Sequence, residues 1–127
     1  RIIVQRIRKA ERSIDFLAFS FTSDAIAAEM IERHRAGVAV RGVMEKRGSR
    51  SKESEFVKLK TEGIPVKIDR NRHAMHHKVI VIDGRLVITG SYNFSRNADR
   101  KNDENVLMIA SPVVASAYLR EFDRLYR

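Results

Sequence analysis

The sequence contains no cysteine and no tryptophan, and only two of its 127 residues are proline. Without cysteine, a disulfide framework and a cysteine-ligated zinc site are both excluded. No run of about 18 or more apolar residues occurs, so we expect no membrane-spanning segment and no integral membrane contact. Aromatic residues make up 7% of the chain, which argues against a deep lipid-binding pocket.

We also recognise no signal peptide, which would consist of a charged segment and a short apolar one in sequence, and expect none within residues 1–127. The chain begins at Arg1 rather than at a methionine. That start is compatible with a leader or a neighbouring domain having been removed, and a removed leader would fit a periplasmic or secreted location. The absence of cysteine fits a reducing and an oxidising compartment equally well.

What the sequence has in excess is positive charge. Lysine and arginine number 25 against 16 aspartate and glutamate residues, which gives a formal net charge of +9. Such an excess favours a polyanionic partner, with nucleic acid as the first candidate and an acidic membrane surface as the second. At 127 residues and 43% hydrophobic content, the chain is long enough for one domain with its own core. We therefore expect a single domain over residues 1–127.

Hydrophobic periodicity divides the chain into helices and strands. The first half alternates between them, with predicted helices at residues 1–13, 24–36 and 53–62 and predicted strands at 13–21, 38–44 and 64–69. This alternation favours parallel pairing. In the second half, strands at 76–83 and 85–90 flank Asp83-Gly84, a strong hairpin signal, and a strand at 104–110 precedes a helix at 111–127. The prediction is an α/β fold with a mixed β-sheet and helices on both faces.

Three of the four histidines, His73, His76 and His77, lie together just before the apolar run "VIVID". Side chains alternate along a strand, so His76 and Lys78 share one face, about 7 Å apart, while His77 takes the other. A metal site is one interpretation of the three histidines, since histidine is a common ligand. It is disfavoured because adjacent His76 and His77 point to opposite faces.

The hairpin predicts which residues face this histidine. If Asp83-Gly84 is a two-residue turn, Ile82 pairs with Arg85, and counting back sets Lys78 opposite Thr89 and His76 opposite Ser91. By the same alignment, Ile80 pairs with Val87. Asn93 then follows just past the strand end. An imidazole, an ammonium group, a hydroxyl and a carboxamide would converge at one edge of the sheet, a set that can hold a phosphate.

Each of these groups suits phosphodiester cleavage. A neutral imidazole of His76 can attack phosphorus, Lys78 supplies positive charge to the non-bridging oxygens, and Ser91 and Asn93 donate hydrogen bonds to them. Glu104, at the start of the strand that follows, could accept the second N–H of His76 and fix its tautomer. This chemistry requires no metal ion and no cofactor.

Other residues are candidates for binding the rest of a substrate. Ser20, Thr22 and Ser23 lie between a strand and a helix, where backbone N–H groups can bind phosphate. An N-cap role explains Ser23 equally well, so both interpretations stay open. The cations that could form a polyanion track include Arg72, Arg96, Arg100 and Lys101. Any one of them alone is also typical of solvated surface.

The pattern His76-x-Lys78-x4-Asp83-x6-Gly90-Ser91-x-Asn93 resembles the HKD motif of the phospholipase D superfamily, and every position of that motif is filled. The similarity extends to "IDFLAFSFTSDAIAAEMIERHRAGVAVRGVME" and to "KNDENVLMI", which carries Glu104. The chain is most similar to the small single-motif bacterial endonucleases of the superfamily. Within the motif, we expect Asp83, Gly84 and Gly90 to shape the hairpin rather than to contact phosphate.

The resemblance implies a two-step reaction through a phosphohistidine, with the histidine of a second motif protonating the leaving alcohol. This chain has one motif, so the resemblance implies a homodimer with a shared site. We expect a metal-independent phosphodiesterase, a nonspecific endonuclease acting on DNA or RNA. Two alternatives stay open: a phospholipase D-type lipid phosphodiesterase or transphosphatidylase, and a nucleic-acid-binding domain that no longer cleaves.

Overall fold

The structure is a computed structural model that describes residues 2–18, 23–45, 55–69, 78–90 and 106–126, with the backbone alone for Lys78. The described elements are, in chain order, α1 (Ile2–Arg8), β1 (Ser13–Ala18), α2 (Asp24–Arg35), β2 (Ala39–Glu45), α3 (Phe56–Thr61), β3 (Val66–Asp69), β4 (Lys78–Ile82), β5 (Leu86–Gly90), β6 (Val106–Ala110) and α4 (Pro112–Tyr126). Within these ranges, the predicted order of helices and strands is confirmed. None of the described helices is both long and apolar enough to cross a membrane.

The strands form one sheet in the order β3-β2-β1-β4-β5-β6. β1, β2 and β3 pair in parallel, as the alternation of strands and helices predicts. β4 runs antiparallel to β1, and β5 and β6 continue the antiparallel pairing. The predicted mixed sheet is therefore confirmed, and β1 is the strand at which its two halves join.

Helices cover both faces of this sheet. On one face, α1, α2 and α3 pack on a core that includes Phe16, Met30 and Ile80. On the other face, α4 is the one helix among the described elements, with Phe122 against Leu17 in one cluster and Ala115 in a second cluster with the valines of β4 and β5. Because both faces are covered, successive residues of the central strands are buried, and this holds for every residue from Ile14 to Ala18.

The ends of the longer helices follow their sequence signals. The Ser23 hydroxyl accepts a hydrogen bond from Ile26 N at 3.2 Å, so Ser23 is the N-cap of α2. The Ser111 hydroxyl accepts one from Val114 N at the start of α4, also at 3.2 Å. Gly37, which follows α2, has a φ of 97°, a conformation that glycine adopts without strain.

The predicted register of the β4–β5 hairpin is wrong by one residue. The turn itself forms as predicted, with φ of 56° at Asp83 and 62° at Gly84, and Arg85 N donates to Ile82 O at 3.0 Å. Arg85, however, is an extra residue outside the ladder, so that Ile82 pairs with Leu86 instead of Arg85. The further pairs are Ile80 with Ile88 and Val79 with Thr89, rather than Ile80 with Val87 and Lys78 with Thr89.

The register was open to this error because both faces of the hairpin are apolar. A one-residue slip normally moves apolar side chains into water and is thereby prevented. Here Val87 packs under α4 and Ile88 under the helices of the opposite face, so either alignment buries both. The pairing of His76 with Ser91, which depended on the two-residue turn, concerns residues outside the described ranges.

Candidate active site

Two ends of the HKD-like hairpin lie at the same edge of the sheet. Lys78 is the first residue of β4 and pairs with Ala18, the last residue of β1. Gly90 is the last residue of β5 and pairs with Val106, the first residue of β6. Four neighbouring strands, β1, β4, β5 and β6, therefore begin or end along one line. We call this line of strand ends, which runs across the strands, the Lys78 edge.

Most of the predicted site residues precede or follow these strand ends in the chain. His76 comes two residues before β4, Ser91 directly after β5, and Glu104 two residues before β6. Their positions lie outside the described residues, as does the side chain of Lys78. The same holds for Asn93 and for the substrate-binding candidates Ser20, Thr22, Arg72, Arg96, Arg100 and Lys101.

At the other end of the hairpin, Asp83 makes a dense set of contacts. Its carboxylate accepts hydrogen bonds from the backbone N–H of Arg12 at 2.6 Å, of Ser13 at 3.0 Å and of Glu11 at 3.1 and 3.2 Å. Its own N–H donates to Ser13 O at 2.8 Å. The Asp83 side chain thus fastens the hairpin turn to the segment that leads into β1.

These contacts also determine how Asp83 titrates. Partial burial by itself would raise the pKa of Asp83, but the hydrogen bonds from the N–H groups of Ser13, Arg12 and Glu11, together with the charge of Arg12, hold that pKa below its usual value. The carboxylate is accordingly ionised at neutral pH. It lies five residues along β4 from Lys78, a distance of about 17 Å for an extended strand. At that distance the Asp83 carboxylate does not reach the Lys78 edge. Its contacts are with the backbone N–H groups of residues 11–13.

Sequence reasoning missed a buried ion pair in the parallel half of the sheet. Asp15 of β1 is 4% exposed, and Arg41 of β2, its neighbour in the ladder, donates to the Asp15 carboxylate at 2.9 Å. The Arg41 guanidinium also lies 4.8 Å from the ring centre of Phe122 and 5.4 Å from that of Tyr126. Desolvation raises the pKa of Asp15, and Arg41 offsets only part of that rise. An aspartate within an apolar strand was the one available signal.

The described residues contain no group of three or more histidine, cysteine, aspartate or glutamate side chains arranged to hold a metal ion. The alternative of a metal site at His73, His76 and His77 falls on residues outside the described ranges.

Comparison with known proteins supports the resemblance seen in the motif. The model of a family described as cardiolipin synthase, PLD-like domain, matches residues 3–126. The mitochondrial cardiolipin hydrolase of Xenopus laevis is 35% identical over 126 residues, which cover 99% of this chain and 60% of that protein. A phospholipase D of Rickettsia prowazekii is 38% identical over 122 residues, which cover 96% of this chain and 60% of that protein. This chain thus spans just over half the length of such relatives.

A solved structure shows the same fold. Nuc, a phospholipase D family member from Salmonella typhimurium, superimposes with a TM-score of 0.92 and 32% identity, covering 98% of this chain and 84% of that one. The mixed six-stranded sheet with helices on both faces is thus the arrangement found in that family.

Proposed function

This chain belongs to the family of phospholipase D-like domains, and from that membership we propose that it is a metal-independent phosphodiesterase whose substrate is nucleic acid, cleaved as a nonspecific endonuclease. The proposal covers DNA and RNA. One observation carries it: the sequence contains a complete His76-x-Lys78-x4-Asp83-x6-Gly90-Ser91-x-Asn93 motif, and the described part of that motif, Lys78 to Gly90, is a β-hairpin whose two strand ends meet at one edge of the sheet.

We infer the substrate class from charge. The net charge of +9 favours a polyanion over a single lipid headgroup, because neutralising several phosphates releases bound counterions and supplies binding energy. The similarity of the motif to single-motif bacterial endonucleases points the same way. Arg72, Arg96, Arg100 and Lys101 are our candidates for contacts along the phosphate backbone, and Ser20 and Thr22 for contacts near the reacting phosphate.

The proposed reaction has two steps. In the first, the His76 imidazole attacks phosphorus, a P–N bond forms and the P–O bond to the leaving alcohol breaks, while a second imidazolium gives its proton to the departing oxygen. In the second, water attacks the phosphohistidine, gives a proton to that second imidazole, and releases the phosphate monoester. Lys78, Ser91 and Asn93 stabilise charge on the non-bridging oxygens, and Glu104 holds the His76 ring in position.

The second imidazole requires a second copy of the chain. A nucleophilic histidine cannot protonate the leaving group in the same step, and general acid catalysis contributes about 10²–10⁴-fold. The sequence has one such motif, so we propose a homodimer in which each copy contributes His76, Lys78 and Asn93 to a shared site. We expect dimers in light scattering at assay concentration. An active protein that stays strictly monomeric would contradict this arrangement.

The central experiment is cleavage of single-stranded DNA, plasmid DNA and RNA in excess EDTA. We expect cleavage to persist with the chelator and to fall by at least about 10³-fold in His76→Ala, because the nucleophile is lost. His73→Ala is the matched control, a nearby histidine outside the motif, and should keep near-normal activity. Retained cleavage in His76→Ala, or complete loss of wild-type cleavage in EDTA, would refute the proposal.

The dependence of activity on pH tests the paired histidines separately. One imidazole must be neutral to attack and the other protonated to donate, so kcat/KM should follow a bell-shaped curve around mildly acidic to neutral pH. A profile that stays flat from about pH 4 to pH 9 would exclude the scheme, since an unperturbed histidine titrates near pH 6.5.

A second candidate function is cleavage or transfer at lipid phosphodiesters. It is favoured by the description of the matching family as cardiolipin synthase and by the relatives named cardiolipin hydrolase and phospholipase D. The same groups would act on a lipid phosphate without change. Release of headgroups from cardiolipin vesicles in EDTA, with no nucleic acid cleavage, would select this function.

The non-enzymatic alternative is a domain that binds nucleic acid and does not cleave it. The complete motif disfavours it, because nucleophile, cation and hydrogen-bond donors are all retained. Steeply salt-dependent binding without turnover on any phosphodiester substrate would select it.

A further inference from the structure

A second group of cations lies at the end of the sheet opposite the Lys78 edge. There the β4–β5 turn meets the segment between α1 and β1, through the bonds from Arg12 N to the Asp83 carboxylate and from Asp83 N to Ser13 O. These bonds hold Arg12 beside the turn that carries Arg85. We call this surface the distal basic surface; its cations are Arg6, Lys9, Arg12 and Arg85.

The side chains of the distal basic surface are exposed and form no ion pair with any described residue. Other arginines are neutralised: Arg8 pairs with Glu29 at 3.1 Å, Arg35 with Glu62 at 2.7 Å and Arg124 with Glu121 at 2.7 Å.

Two acidic residues lie within the same segments, Glu11 and Asp83. The Asp83 carboxylate is occupied by backbone N–H groups, and Glu11 is exposed. Four cations thus face two acidic groups, and one of those two is already engaged in hydrogen bonds. The net charge of the surface is positive.

A general role in helix stability explains only part of this surface. Basic side chains near a helix C-terminus interact favourably with the helix dipole, which accounts for Arg6 in the last turn of α1 and for Lys9 directly after it. Arg12 and Arg85 lie outside any helix. Their positions are set instead by the contacts of Asp83.

The composition of the surface favours nucleic acid over a membrane as its ligand. A membrane-binding surface places large apolar side chains among its cations so that they enter the lipid. Here the exposed side chains between Gln5 and Arg12, together with Arg85, are all polar or charged. Binding to a phosphate backbone requires only the positive charges, without apolar side chains.

We propose that the distal basic surface is a second nucleic-acid contact, used by a segment of strand remote from the phosphate being cleaved. Asp83, at the turn beside this surface, lies about 17 Å along the hairpin from Lys78, so no group on this surface reaches a phosphate at the Lys78 edge. Its effect is to retain a long substrate, with no part in the chemical step. This inference rests on the proposed function for the identity of its ligand.

The test compares two charge reversals of equal size. Arg12→Glu/Arg85→Glu reverses the two cations of the surface that adjoin the Asp83 turn, and Lys60→Glu/Arg120→Glu reverses two exposed cations elsewhere. Binding of a long single-stranded DNA is measured with His76→Ala present in every protein, so that cleavage does not intervene. We expect the slope of log K against log salt to become shallower by about two in the first pair and by much less in the second.

A small substrate separates binding from chemistry. Hydrolysis of bis(p-nitrophenyl) phosphate by proteins that retain His76 should be unchanged in Arg12→Glu/Arg85→Glu, because this diester contacts only the catalytic site. If charge reversal lowers the melting temperature, Arg12→Gln/Arg85→Gln should still reduce the salt slope by a similar amount, because the same two phosphate contacts are lost.

Three results would overturn the inference. Equal weakening in both charge-reversed pairs would show that only net charge matters. Unchanged DNA binding with loss of binding to anionic phospholipid vesicles would assign the surface to a membrane. Loss of bis(p-nitrophenyl) phosphate hydrolysis with unchanged melting temperature would place these arginines in the catalytic step. If the wild-type protein binds DNA but cleaves none, the proposed function fails while the binding comparison still tests the surface.

Discussion

Every residue of β1 from Ile14 to Ala18 is buried, whereas none of the five residues of β6 is fully buried and Leu107 is 58% exposed. Both halves of the sheet are buried where they join, because Val79 to Ile82 of β4 are buried like the residues of β1. The difference therefore lies at β6, the outer strand of the antiparallel half. That half is also held by its turn, which Asp83 fastens to the start of β1. The strand ends that adjoin the motif residues in the sequence, Lys78 and Gly90, both belong to it.

The largest effect on stability should come from the turn. In Asp83→Ala, the N–H groups of Glu11, Arg12 and Ser13 lose their acceptor, and alanine must adopt a positive φ, so we expect a loss of about 3 kcal/mol in chemical denaturation. Asp83→Asn keeps one acceptor oxygen and tolerates the left-handed conformation, so it should lose less. Equal stability of Asp83→Ala and wild type would show that the antiparallel half does not depend on this contact.

Because Asp83 titrates, the stability that this contact contributes should depend on pH. The pKa of Asp83 is lower in the folded than in the unfolded chain, so its contribution is present above the unfolded value, near pH 4, and is lost as pH falls through the folded value. Wild-type stability should therefore decline in acid. Asp83→Asn should show a smaller decline over the same pH range, measured as the free energy of unfolding at several pH values.

In the parallel half, the tightest packing is at Gly42. A Cβ added there would lie 2.1 Å from the Phe16 ring, well inside van der Waals contact. We expect Gly42→Ala to destabilise the protein by about 2 kcal/mol, because the ring has to move within a filled core. In Phe16→Leu/Gly42→Ala the two losses should be less than additive. Additive losses would mean that the ring and the glycine do not constrain each other.

Arg41 should show an effect that depends on pH. Removing it in Arg41→Leu leaves the Asp15 carboxylate buried without its cation, a loss we expect to be about 1–2 kcal/mol at pH 7 because Arg41 is partly exposed. The pKa of Asp15 is raised in the folded state, and loss of Arg41 raises it further. The deficit should thus shrink as pH falls through that value and Asp15 becomes protonated.

The control for this prediction is Asp15→Asn/Arg41→Leu, which has no carboxylate to titrate. Denaturation at pH 7 and near pH 4.5 should give it a nearly constant deficit, whereas that of Arg41→Leu changes. A deficit that grows in acid would contradict the sign derived from burial of Asp15.

The smallest effect should be at the two serine caps, one in each half. Ser23→Ala should cost about 1 kcal/mol, since the hydroxyl accepts from Ile26 N and Ser23 is completely buried. Ser111→Ala removes a similar bond at a partly exposed position, where water can replace it, and should cost less. Both substitutions remove a serine hydroxyl that accepts one backbone hydrogen bond. The difference in melting temperature between the two variants therefore measures how burial changes the contribution of that bond.

The order of elements could be predicted because each depends on local pattern. Ile26 and Met30 repeat at helical spacing, Ser23 is a typical cap, and Asp83-Gly84 specifies a tight turn. The predicted pairing of β4 with β5 beyond that turn was wrong by one residue. The apolar residues of β5 satisfy either register, and the extra residue, Arg85, is selected by how the turn docks against residues 11–13, which lie about 70 positions away.

Two other features depended on contacts that only the folded chain creates. The pairing of β1 with β4 joins two separate parts of the sequence, and the Asp15–Arg41 pair requires β2 to lie beside β1 in one particular alignment. The site was accessible to sequence reasoning for a different reason. The motif residues follow a fixed spacing within one short stretch of sequence, so the residue pattern itself indicates the chemistry, and their geometry remains a prediction.

The fastening of Arg12 to Asp83 across 71 positions has a consequence for biosynthesis. As the chain leaves the ribosome, β1 can pair with β2 soon after both emerge, but its other edge has no partner until β4 has been made. That open edge would be free to recruit foreign strands for the time it takes to translate the intervening residues. A nascent chain arrested just before β4 should therefore bind chaperones more strongly than one arrested just after the Asp83 turn.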